Sequence, residues 1–150
     1  MKGIDMADTV QNLNSLIADF TVLYQKLRHY HWNVTGSRFF QLHEKFEEMY
    51  TGVGGTIDEL AERVVGLEGT PLHTLAHVLE TASLSEDASM PADAEMVGRT
   101  IADFETLSEQ MLGMIASAEK EDDRTTVNLL DEIRDGLAGH LWMLKAWSKE

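Results

Sequence analysis

Two histidines and three carboxylates in this chain stand at spacings that could hold a metal. In HEKFE, His43 and Glu47 are four residues apart, and in DELAE, Asp58 and Glu62 are again four apart. Positions i and i+4 of a helix share one face, so each pair can present two ligand atoms together. Imidazole nitrogen with carboxylate oxygen suits iron, zinc or manganese, whereas a copper site would recruit cysteine or methionine. Either pair alone reads more readily as a solvated helix face, because exposed helices are rich in carboxylates. His31 changes that balance. It precedes Gly36 by five residues and His43 follows it by seven, so an antiparallel hairpin brings the two imidazoles to similar depth. His29, His73, His77 and His140 lack such carboxylate neighbours and read as surface or core residues, although His73 and His77 are four apart and could take a metal adventitiously.

The elements that must position these groups are helical. Leu13, Leu16, Ile17, Phe20, Leu23, Leu27, Tyr30 and Val34 recur at three- and four-residue steps, which predicts a first helix over 12–34. Thr35, Gly36 and Ser37 supply the stop and start: glycine suits a left-handed C-terminal position and serine a helix N-cap. A second helix carries Phe39, Phe40, Leu42, Phe46, Met49, Tyr50, Val53, Ile57, Leu60, Ala61, Val64 and Val65, and ends near Gly66 or Gly69. Gly52, Gly54 and Gly55 interrupt it at about 0.8–1.0 kcal/mol each relative to alanine, and one helix, kinked or closely packed there, is preferred over a break. Both prolines, Pro71 and Pro91, lie in the stretch 69–92, where only a short helix fits. A third long helix runs from about Asp93 through Ile115, the charged KEDDR segment interrupts near residue 120, and a fourth carries Val127, Leu130, Ile133, Leu137, Leu141, Trp142 and Leu144. Two helical hairpins joined by one long crossover predict an all-α, ferritin-like four-helix bundle with a short helix in the crossover, as a single domain over 1–150.

Composition narrows the function classes. The chain has no cysteine, which excludes disulfides, thiolate metal sites and cysteine nucleophiles. Its formal charge is −14, from 26 acidic and 12 basic side chains, so its average surface repels phosphate backbones and anionic lipids and attracts cations. The N-terminal MKGIDMADTV lacks a secretory pattern and no apolar run approaches the roughly 20 residues that span a bilayer, which predicts a cytoplasmic protein with no membrane partner.

The run YHWNVTGSRFFQLHEKFEEMY, followed by IDELAERVVGLEGTPL and later by GHLWMLKAW, resembles the signature of the Dps proteins, or miniferritins. The resemblance covers nearly the whole chain. It implies a ferroxidase centre whose iron ligands are His31, His43, Glu47, Asp58 and Glu62. It also implies a hollow homo-dodecamer that oxidises Fe(II), preferably with hydrogen peroxide rather than oxygen, and stores ferric mineral. Trp32 resembles the tryptophan beside that centre in relatives, where it could intercept a stray oxidising equivalent; plain packing explains it equally well. Asp123, Asn128, Asp131 and Asp135 resemble the region lining a threefold iron pore, with Asn128 where relatives often carry aspartate, and a solvated helix end explains them equally well. A Lys-rich N-terminal extension, associated with DNA binding in this family, is missing, and only one lysine occurs in the first 25 residues. The competing readings are a DNA-binding stress-protection protein and a structural helical bundle without chemistry.

Geometry adds one expectation independent of the resemblance. Fifteen helical steps separate His43 from Asp58, roughly 22 Å along a straight helix at about 1.5 Å per residue, so they cannot ligate one ion within one chain. Two copies packed with their second helices antiparallel would bring His31, His43 and Glu47 of one to Asp58 and Glu62 of the other. A sharp break at Gly52 to Gly55 would defeat this by folding the helix back.

Overall fold

The computed structural model describes residues 7–149, and among them the secondary structure is entirely helical: α1 Ala7–Asn33, α2 Phe39–Gly66, α3 Leu75–Thr81, α4 Asp93–Lys120 and α5 Arg124–Trp147. Helix α1 packs along α2, and α4 along α5, with α1 also against α4. One continuous core results, with Phe20, Tyr30, Phe46 and Phe104 among its largest fully buried side chains. These are the residues whose three- and four-residue recurrence predicted the helices, and their burial closes the four-helix bundle.

The turn between α1 and α2 depends on Gly36, whose φ of +106° is a conformation side-chain-bearing residues rarely adopt. The expected serine cap is replaced: Arg38, not Ser37, is the N-cap of α2, and no side chain caps it. Arg38 instead bridges the bundle end, 3.1 Å from Asp93 at the start of α4 and with its guanidinium 3.9 Å from the centroid of the Trp147 ring. Helix α2 continues through Gly52, Gly54 and Gly55 without a break. Of these only Gly54 faces a neighbour, where a Cβ would sit 3.4 Å from the Tyr24 ring.

The crossover, residues 67–92, is stitched to α1 along its length. Asn14 donates to the Thr70 carbonyl and accepts from the Leu72 amide. Val78 of α3 seats against Ala18 and Val22. The fully buried Asp19 accepts from the Ser83 amide and hydroxyl and from the Leu84 amide. At its far end Asp87 accepts from the Tyr30 hydroxyl and pairs with Arg99 of α4 at 2.8 Å. Burial first, and then this bond, push the Tyr30 phenol well above its ordinary range. Asp87 is held well below the carboxylate range: burial opposes this, but hydrogen bonds from Ser89, Tyr30 and Arg99 outweigh it. Asn14, Asp19, Tyr30 and Asp87 each have a partner on this path, which offsets the cost of their desolvation.

Candidate metal centre

His31 comes from the last turn of α1 and His43 from the second turn of α2. The rings stack, with centroids 3.8 Å apart and planes 14° apart. Each Nδ1 lies 2.7 Å from the other residue's backbone carbonyl oxygen. A carbonyl oxygen only accepts, so both Nδ1 atoms carry the proton and donate it. In the neutral rings this tautomer leaves the lone pair on Nε2, the arrangement in which an imidazole ligates a metal. The bonds also fix both ring orientations, and they exist only because the turn at Gly36 sets the two helix ends side by side.

The surroundings tighten the clasp. Phe39, one turn before His43, stacks on its outer face at 4.9 Å, and Tyr50 meets His31 edge-on at 5.3 Å. Glu47 brings Oε1 to 3.7 Å from His31 Nε2, too long for a hydrogen bond but well placed to share a cation. Phe39, His43, Glu47 and Tyr50 lie at offsets of four, four and three along one face of α2, a pattern legible in the sequence, although Phe39 and Tyr50 carry no ligand atom to draw attention to them.

Asp58 and Glu62 lie exposed further along the same unbroken helix. Among the described residues no group of three or more histidine and acidic side chains within one chain is arranged to hold a metal ion. The fold thus brings His31 and His43 together, with Glu47 3.7 Å from His31, and leaves Asp58 and Glu62 apart from them.

Trp32 points outward, 54% exposed, with the Arg28 guanidinium 4.9 Å from its ring centroid. It is not a core residue. Asp123 departs from the acids with which it was grouped: it is only 6% exposed and serves as the N-cap of α5. Its carboxylate accepts from the Thr126 amide and hydroxyl and pairs with Arg63 of α2 at 2.8 Å. Burial works to raise its pKa, but the Thr126 bonds and Arg63 prevail and hold it below the carboxylate range. Asn128, Asp131 and Asp135 are exposed on α5. His140 is half-buried, and its Nδ1 accepts from Lys45 at 3.1 Å. Burial and then the Lys45 charge lower its pKa below the usual histidine value.

A sequence profile of the ferritin-like domain matches residues 10–150. The chain is 47% identical over 135 residues to the DNA protection during starvation protein of Brevibacillus brevis, covering 90% of this chain and 91% of the relative. The crystal structure of a Dps protein from Bacillus brevis superposes with a TM-score of 0.94 at 44% identity, covering 98% of this chain and 99% of that one. A Dps protein from Vibrio cholerae O1, described as a member of a broad superfamily of ferritin-like diiron-carboxylate proteins, superposes with a TM-score of 0.94 at 33% identity, covering 98% and 94%. No helix among the described residues is long and apolar enough to cross a membrane. A helical bundle with one long crossover and relatives matching nearly end to end place this chain in the Dps family of ferritin-like proteins.

Proposed function

We propose that this chain is one subunit of an iron-storing ferroxidase, with Fe(II) as substrate and hydrogen peroxide as preferred oxidant, acting at a dinuclear site shared between two copies. The observation that carries this reading is the reciprocal clasp of His31 and His43, which leaves both Nε2 lone pairs free, that of His31 being 3.7 Å from Glu47 Oε1. One chain supplies a half-site. A second copy related by a twofold axis supplies Asp58 and Glu62, and the same operation completes a second site. Large apolar side chains left outside the core, including Phe40, Val65, Leu75 and Trp142, support assembly into a closed oligomer, of which a hollow dodecamer is the form proposed.

Two Fe(II) held side by side each give one electron to a single peroxide, which takes up two protons and leaves as two waters. Hydroxyl radical, the product of one-electron reduction, is thereby avoided, and hard carboxylates favour the ferric product that is stored as mineral. The relatives described as DNA protection proteins are consistent with protection by removal of iron and peroxide. Admission of Fe(II) falls to the exposed Asn128 and Asp131, three apart on α5, rather than to Asp123, whose carboxylate is occupied. Asp131→Asn should slow oxidation at low iron more than at saturating iron.

The test is complementation. A variant with His31 and His43 changed to alanine and another with Asp58 and Glu62 changed to alanine should each lose fast Fe(II) oxidation. Refolded together they regain it, because mixed dimers hold one intact site. If mass spectrometry confirms co-assembly and no activity returns, the shared site is rejected.

A further inference from the structure

Helices α2 and α5 are tied together near both ends. Arg63 reaches Asp123 at 2.8 Å and Thr126 at 3.1 Å, and Lys45 reaches His140 at 3.1 Å and the Met143 sulfur at 3.4 Å. Between the ties lies an open cleft of about 180 Å³, lined at depth by the buried Phe20, Met49, Val53, Phe104, Ile133 and Leu137. Gly52 and Gly136 line it from the two helices, and Glu59, Glu132 and His140 belong to its wall. We propose that this cleft binds a small aliphatic amine, with the ammonium at Glu59 and Glu132 and the hydrocarbon chain laid along the two glycines over the apolar floor.

The glycines are the first reason. Glycine inside a helix is less stable than alanine, so a helix that keeps one has a use for the missing side chain. Neither Gly52 nor Gly136 has the positive φ that would require glycine, and a Cβ at either would meet nothing within 4 Å. The chain's own turns and packing therefore ask for neither. What the two share is the cleft, whose middle stays open because both side chains are absent.

Charge selects the occupant. The two ties set an antiparallel register, in which Gly52 stands near the level of Gly136, and Glu59 and Glu132 stand within about one turn of each other. Neither glutamate hydrogen-bonds or pairs with any described residue. The other end carries the Lys45 ammonium, which repels a cation and so directs it to the glutamates. An anion would meet two carboxylates, an uncharged chain would leave them unanswered, and a bare inorganic cation would leave the floor in contact with water. A primary amine satisfies both surfaces: its N–H groups donate charge-assisted bonds to the carboxylates, and each methylene taken out of water strengthens binding about fourfold. None of the lining residues is a proposed iron ligand, so occupancy of the cleft does not depend on the half-site at His31.

The experiment titrates the iron-free assembled protein calorimetrically with butyl-, pentyl- and hexylammonium at about 0.15 M salt, where long-range attraction to a negative surface is screened. Affinity should rise about fourfold with each methylene, and both hexanol and tetramethylammonium should bind several-fold more weakly than hexylammonium. Glu59→Gln combined with Glu132→Gln should weaken hexylammonium several-fold and leave hexanol unchanged, whereas Gly136→Leu, which fills the cleft, should weaken both. Should these variants fail to assemble, methyl-labelled methionine in the unaltered protein reports the site: the Met49 resonance must shift and saturate with hexylammonium while those of Met96 and Met111, which do not line the cleft, hold still. Tetramethylammonium binding as tightly as hexylammonium would reduce the effect to attraction by net charge and overturn the proposal. A Met49 resonance that never moves, or affinity indifferent to the paired glutamate substitutions, overturns it as well.

Discussion

Each of the two proposed ligand imidazoles is oriented by the other residue's backbone carbonyl, so replacing either one removes a proposed ligand and also leaves the carbonyl that its Nδ1 satisfied without a donor. His31→Ala and His43→Ala should therefore each weaken binding of a redox-inert probe such as Zn(II) by about 10–100-fold, the range found when groups orienting metal ligands are lost. The double variant should lose less than the sum of the two single losses, because the rings stack face to face at 3.8 Å and removing one loosens the other. Calorimetric titration of the assembled protein would check this, and fully additive losses would show that the rings act independently.

At the level of helices, the C-terminal end of α2 concentrates two constraints. Asp123 is an N-cap and an ion-pair partner at once, with a pKa depressed by Thr126 and Arg63 against the pull of burial. A carboxyl whose folded pKa lies below its unfolded value adds stability above about pH 4, lost as pH falls through the lower folded value. Asp123→Asn keeps a capping side chain but loses the charge, and should cost about 1–2 kcal/mol near neutrality. Urea melts across pH should show that deficit shrinking as acid protonates the parent carboxyl; a pH-independent deficit would remove the charge from the explanation. Gly69 is the other constraint. Its amide closes the end of α2 onto the Val64 carbonyl at 2.9 Å, and a Cβ there would meet Val10 Cγ1 at 2.8 Å. Gly69→Ala should destabilise by about 1–3 kcal/mol as overpacking pushes α1 from α2, whereas Gly52→Ala, with nothing within 4 Å, should not destabilise the isolated fold.

For the whole molecule, charge decides which macromolecules it meets. With −14 per chain, assembly compounds the repulsion of phosphate backbones, and nonspecific affinity for DNA comes mainly from cations that displace condensed counterions. No appreciable binding to duplex DNA is expected at about 0.15 M salt without divalent cations. A stable gel-shifted complex under those conditions would contradict this and favour a DNA-coating role.

Much of the architecture was legible in residue spacing. A helical period depends only on neighbours a turn apart, so the recurrence of Leu13, Leu16, Phe20 and Leu27 on α1 was enough to place its buried face. The same local logic gave Gly36 its turn and showed that one unbroken helix keeps His43 and Asp58 apart. Tertiary structure decided what depends on two helix faces meeting. The exchange of bonds between His31 and His43, the aromatic seat made by Phe39 and Tyr50, and the withdrawal of Asp123 from solvent to Arg63 each need a partner distant in the chain or across a turn. Spacing along one helix says which side chains share a face, but only packing of that face against another sets which nitrogen keeps its proton and which carboxylate stays free.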